Sequence, residues 1–202
     1  MKTLIISLIF TLFFFTNISF AQTNPRTSSR SAAQYDAASV DENIADDRDA
    51  IYFSQLAIGR STIADTRDVA TEMLTDFTGL LYSMEQLAAA GGKSVRESSA
   101  TLEAKNLNEM LTGSRGFSFD TAWIGGMLRM HQTNLNGLTE QKTNATNERL
   151  KAAVAEAIPV LKKYITRLNS LQKQLIRKDL QEKKEAAKQQ KDAEKLQKGK
   201  RR

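Results

Sequence analysis

From Leu150 to Leu175 the apolar residues fall at steps of three and four: Leu150, Val154, Ile158, Leu161, Ile165, Leu168, Leu171 and Leu175. That spacing keeps one face of an α-helix apolar over about seven turns. It cannot serve a strand, whose faces alternate at every residue. A seam this long is stable only against partners that carry the same period. The chain supplies three. Residues 36–63 carry Ile44, Ile51 and Ile58, with Leu56 and Ile63 widening the stripe. Residues 66–90 carry Val69, Met73, Leu74, Phe77, Leu80, Leu81, Met84 and Leu87. Residues 118–138 carry Ile124, Met127, Leu128, His131, Leu135 and Leu138 on one face. No segment shows sustained alternation, so the expected fold is all-α, a bundle of four apolar-faced helices.

The punctuation orders these helices. Gly91-Gly92 stops the second as a C-terminal glycine cap would. A long connection, residues 93–117, follows, with a short amphipathic helix over 99–111 and a break at Gly113-Ser114-Arg115-Gly116. Asn136-Gly137 marks the end of the third helix, and the fourth starts near Asn147. Pro159 lies inside the fourth and predicts a local kink, because proline lacks the N–H its turn needs. Gly125-Gly126 reads as a close-packing point.

The N-terminus reads as an address. Lys2, the apolar run Leu4–Phe15 and Ser19-Phe20-Ala21 form a secretory signal over residues 1–21. Asn17 and Ser19 end the run too soon for a membrane span, so no span is expected in the mature chain. Residues 22–35 are a polar leader, 36–180 the helical domain and 181–202 a basic tail, helical or disordered. The protein is expected to be exported, periplasmic or associated with the outer membrane.

The 202 residues carry a net charge of +6. Residues 177–202 hold 11 Lys/Arg and five Asp/Glu, so the whole excess lies in the tail. Leu180 closes the apolar seam, and no apolar face beyond it favours docking. The tail is expected to be a solvated extension of the last helix. Its candidate partner is anionic envelope material, lipid head groups or acidic polysaccharide, met through residues 177–202. Nucleic acid fits poorly, since the tail has no aromatic side chain for stacking.

Chemistry is sparse. There is no Cys and one His, which excludes disulfides, thiolate sites and any centre needing two imidazoles. No strand precedes a glycine-rich phosphate loop, and no Ser sits in a nucleophile elbow. Asp46, Asp47 and Asp49 lie near a helix start and read as a solvated acidic face. His131 lies on an apolar face and reads as a packed histidine. A mononuclear metal site could combine it with Glu72 and Asp76, or a soft metal with Met127 and Met130. Trp123 should pack at a bundle end with its N–H partnered. No cofactor and no enzymatic activity are expected.

Two segments carry a family likeness. The first is Ile51–Ala57 followed by Val69–Leu87. The second is Phe119-Asp120-Thr121-Ala122-Trp123-Ile124, Met127, His131-Gln132 and Ile158-Pro159-Val160-Leu161. Over residues 45–170 the chain resembles secreted, ferritin-like bacterial proteins of unknown function, often labelled outer-membrane proteins. The resemblance implies a ferritin-like four-helix bundle with a long second connection and, here, a charged helical extension. It also accounts for Pro159. The family pattern has Asp-His where this chain has Asp76-Phe77, and a histidine where it has Tyr164. Of three family histidines only His131 remains. The likeness therefore implies an exported, non-catalytic bundle with an interaction or stress-related structural role. The alternative it implies is a degenerate metal site of His131 with Asp76, Glu72 or Tyr164.

Overall fold

Ser31 opens the first helix with a reciprocal cap: the Gln34 N–H donates to Ser31 Oγ at 3.3 Å and the Ser31 N–H to Gln34 Oε1 at 3.0 Å. The cap starts the helix at Ala32, so the last residues assigned to the leader are helical. The structure, a computed structural model, describes residues 31–93 and 100–200; the signal segment and the leader up to residue 30 lie outside them. Five helices follow in order: α1 Ala32–Arg60, α2 Ala64–Ala90, α3 Leu102–Leu111, α4 Gly116–Asn144 and α5 Glu148–Lys200. No strand occurs among the described residues.

Hydrogen bonds at the two ends fix the helix directions. At one end the Arg60 guanidinium donates to the carbonyls of Leu111 and Ser114, at 3.1 and 2.7 Å, and covers the Phe119 ring. Here α1 ends and α4 begins. At the other end Asp36 accepts from the N–H groups of Thr146 and Asn147, at 3.0 and 2.9 Å, where α4 turns into α5. On α2, Asp76 and Glu72 meet Lys163 and Arg167 of α5. So α1 and α5 run one way, α2 and α4 the other. The connection 91–115 must then return the chain along the length of α2, about 40 Å at 1.5 Å per residue. α3 makes part of that return along α4. Gly126 makes this possible: a Cβ there would lie 2.2 Å from Leu107 Cδ1. Gly92, at φ +73°, provides the stop to α2, with the Lys93 N–H returning to the Ala88 carbonyl at 3.1 Å.

Two expectations change, at the end of α4 and at the end of the seam. α4 runs on through Gly137 to Asn144, because Leu138 and Gln141 are buried beyond it and outweigh a glycine cost of about 1 kcal/mol. α5 continues unbroken past Pro159. Pro159 and Ala155 are both exposed, so water can reach the Ala155 carbonyl that proline leaves without its donor. The seam ends at Leu175, 6 % exposed, whereas Leu180 is 52 % exposed.

The core holds Phe53, Met73, Phe77, Met84, Phe119, Trp123, Met127, Leu161, Tyr164 and Leu168. Trp123 is fully buried, and its N–H donates to the Phe53 carbonyl at 2.8 Å. Ala57, one turn beyond Phe53, carries only a methyl and leaves that carbonyl approachable. The inward face of α1 differs from the isoleucine stripe read in the sequence. Ile51 and Ile58 sit half-buried at its margin. Ile44 is buried as read, and Val40, Asn43, Asp47, Ala50, Phe53, Ser54 and Ala57 complete the inward face. Asn43 Nδ2 donates to Gln141 Oε1 at 2.8 Å across to α4, so both buried amides are partnered.

Candidate functional site

His131 is buried on α4 among rings from two other helices. It stacks on Phe77 of α2, with centroids 5.1 Å apart and planes 3° from parallel. Tyr164 of α5 lies tilted to both, 5.8 Å from Phe77 and 6.4 Å from His131. Phe77, His131 and Tyr164 are the three positions at which the resemblance drawn from the sequence implies histidine. The fold brings all three together, and one imidazole remains. Burial pushes that imidazole down to about 4, so it is neutral at physiological pH. Its Nε2 has no hydrogen-bond partner among the described residues.

The two carboxylates named from the sequence stand toward the surface between α2 and α5, and both are engaged. The Lys163 ammonium donates to Asp76 Oδ2 at 2.5 Å, and the Tyr164 hydroxyl donates to the same oxygen at 2.7 Å. Burial works against the Asp76 charge, but those hydrogen bonds outweigh it and hold the carboxyl below its usual range. Burial, reinforced by the bond to Asp76 and its charge, pushes the Tyr164 phenol well above its ordinary value. Glu72, one turn away, pairs with Arg167. The sequence reading missed these two cations. Their signal was a four-residue step on each helix: Glu72 and Asp76 on α2, Lys163 and Arg167 on α5.

Among the described residues no group of three or more His, Cys, Asp or Glu side chains is placed to hold a metal ion. His131 and Tyr164 are ring neighbours, Asp76 reaches only the outer edge of Tyr164, and Glu72 lies beyond it with Arg167. Met127 and Met130 are buried in the same core. A cation at Asp76 would have to displace an ammonium and a phenol, and the phenol resists ionisation.

The acidic cluster of α1 is not solvated. Asp36, Asp47 and Asp49 are each under 9 % exposed. Asp36 ties α1 to the α4–α5 turn, accepting from the Thr146 hydroxyl at 2.6 Å. Asp49 accepts from the Thr101 N–H at 2.9 Å and anchors the start of α3. Burial, then the charges of Glu42, Asp49 and Glu103, raises Asp46 to about 7. Burial and the charge of Asp46 raise Asp47 as well. Asp120, fully buried on α4, accepts from the Ser61 hydroxyl and from Thr62 Oγ1 at 3.1 Å. Asp36 and Asp120 therefore perform one task at opposite ends, each gripping the turn of the other helical pair. That gives the Phe119-Asp120 motif a structural reason.

No described helix is long and apolar enough to cross a membrane. No curated protein matches the chain. Two solved structures share its fold. CopM in the Cu(II)-bound form is 16 % identical with a TM-score of 0.61, over 69 % of this chain and 96 % of that one. CopM in the Ag-bound form, obtained by co-crystallization, is also 16 % identical with a TM-score of 0.57 and the same coverage. At that identity the likeness speaks for the fold alone. The family model matches residues 21–171, and the chain belongs to the family described as Domain of unknown function (DUF4142).

Proposed function

We propose that the protein is an exported, non-catalytic, ferritin-like four-helix bundle of the bacterial cell envelope, with an interaction or stress-related structural role. In this reading packing has taken over the position of a metal centre. One observation carries it: Phe77 stacks on His131 and Tyr164 lies tilted beside it, at the two positions where the resemblance implies further histidines. The helix order, two antiparallel pairs joined by a long return, supports the ferritin-like assignment. The apolar run at residues 4–15 supports export.

A second reading keeps a degenerate metal site. His131 Nε2 lacks a partner, Met127 and Met130 lie in the same core, and CopM was solved with Cu(II) and with Ag. Soft thioether and imidazole donors suit Cu(I) and Ag(I). Elemental analysis of the purified protein, and titration with Cu(II), Cu(I) and Ag(I), separate the two. The packing reading expects no stoichiometric metal and a stability loss of about 1–3 kcal/mol in His131→Ala. One equivalent of metal, lost in His131→Ala, would overturn it in favour of the second.

A further inference from the structure

Beyond Leu175, α5 leaves the core and runs on as helix to Lys200. From Ile176 to Lys195 every residue except Asp179 is exposed. This arm is about 37 Å long at 1.5 Å per residue. Its cations are ordered. Arg177, Lys184, Lys188, Lys191 and Lys195 follow at steps of seven, four, three and four, the period that builds an apolar seam. On a helix they share a stripe about 60° wide. None of Asp179, Glu182, Glu185, Asp192 and Glu194 falls within it. Lys178 and Lys183 lie off the stripe, and Lys183 pairs with Asp179 at 2.7 Å. A tail that only confers solubility has no need of a face.

The root of the arm adds apolar surface. Ile176 is 61 % and Leu180 52 % exposed, and both lie on one side of the stripe on the helical wheel, about 60° and 20° beyond its edge. Phe117 of α4, also exposed, lines one groove with Leu175 and Ile176.

We propose that the α5 arm is a peripheral docking arm for an anionic lipid bilayer, with the stripe on the head groups and Ile176, Leu180 and Phe117 entering the interface at its root. A straight rod charged along one side matches a plane of anionic head groups. A flexible polyanion would match the charge but leave the apolar root without a partner. The arm also offers no aromatic side chain for nucleobase stacking. This names a partner for the envelope reading and rests on it only for where such lipid is met. Vesicle binding is independent of export and of metal.

The test is co-sedimentation of the protein, purified after export from a bacterial host, with phosphatidylglycerol–phosphatidylcholine vesicles and with phosphatidylcholine alone. Binding is expected only to the anionic vesicles and should fall as salt rises. Each cation on such a surface contributes roughly fivefold. Lys184→Glu with Lys191→Glu should weaken partitioning by about fiftyfold or more. Lys178→Glu with Lys183→Glu, equal in charge, should weaken it by less than about fivefold. Ile176→Ser with Leu180→Ser should remove the binding that survives at high salt. All these residues are exposed, so circular dichroism should show unchanged folding. Equal losses in the two charge variants would reduce the stripe to net charge and overturn the proposal. So would binding to an acidic polysaccharide or to nucleic acid with none to anionic vesicles.

Discussion

The buried acids of α1 make a prediction with an unusual sign. Asp46 titrates near 7 in the fold against 3.8 as a free side chain. Its folded value is raised, so the folded chain keeps a proton that the unfolded chain has lost. Its stabilising share is complete below about pH 4 and is lost as pH rises to 7. One proton is worth about 1.4 kcal/mol per pH unit, which sets a ceiling near 4 kcal/mol over that window. Water at the edge of Asp46 screens part of this, so about 2–4 kcal/mol is expected. Asp47 acts in the same direction. His131 acts oppositely: burial depresses it from 6.5 to about 4, so its stabilisation is lost as pH falls through that range. The wild-type profile therefore mixes two slopes, and the difference from Asp46→Asn isolates one. Urea denaturation followed by circular dichroism should find the variant equal to wild type near pH 4. Near pH 7.5 it should be more stable by about 2–4 kcal/mol. Adding Asp47→Asn should enlarge the gap at the higher pH. Parallel curves for Asp46→Asn and wild type, offset by a constant, would show that the carboxyl ionises freely in the fold and would refute the reasoning.

Phe77→His with Tyr164→His places imidazoles at all three converging positions and frees Asp76 from the phenol; under the proposed reading this variant should bind one equivalent of Cu(II) or Zn(II), read by calorimetry. A folded variant that binds neither would show that the ring cluster is no vestige of a centre. Asp120→Ala removes the acceptor of the Thr62 N–H and hydroxyl and leaves the Ser61 hydroxyl only the Ile63 carbonyl, and should cost about 2–3 kcal/mol in urea unfolding; a loss under about 0.5 kcal/mol would mean the turn is held by packing. Truncation after Leu180 removes a segment whose residues are exposed from Gln181 to Lys195 and should leave the melting temperature nearly unchanged, whereas a large drop would show that the arm docks on the body.

How far the fold was legible depends on how each helix is packed. α5 announces itself because Leu150, Val154, Leu161, Leu168, Leu171 and Leu175 bury large apolar side chains at a helical period. α2 and its glycine stop are legible for the same reason. α1 is legible only in part. Val40, Ile44 and Phe53 are buried on it, but Asn43, Asp47, Ser54 and Ser61 share the inward face with alanines, so apolar volume alone gives an incomplete stripe. Small residues let a neighbouring helix approach, and buried polar groups are satisfied by partners far along the chain, such as Gln141 98 residues from Asn43. Neither property has a local period. The start of α1 was legible: Ser31-Ala32-Ala33-Gln34 is a capping box. Asp36, Asp47 and Asp49, which follow it, are buried through contacts that no local pattern contains.

The candidate site divides along the same line. His131 is conspicuous as the sole histidine on an apolar face, and its burial and neutrality follow from that position. What surrounds it does not follow. Phe77 reads as one more core residue of α2, and only its place in the fold makes it the stacking partner of His131. Tyr164 reads as a ligand candidate until Asp76 is seen to hold its proton. Lys163 and Arg167 read as solvent-facing charges of α5, yet they neutralise the two carboxylates a metal would need. Under the packing reading the two departures, at 77 and 164, reinforce each other through Asp76. A phenyl ring at 77 supplies the stack and no lone pair. A phenol at 164 needs an acceptor, and Asp76 provides it. An Asp76 so engaged is stabilised as an anion by Lys163 and no longer calls for a cation from solution. Under the packing reading, then, reversing any one substitution should recover little metal affinity, and reversing the pair at 77 and 164 should recover it in one step.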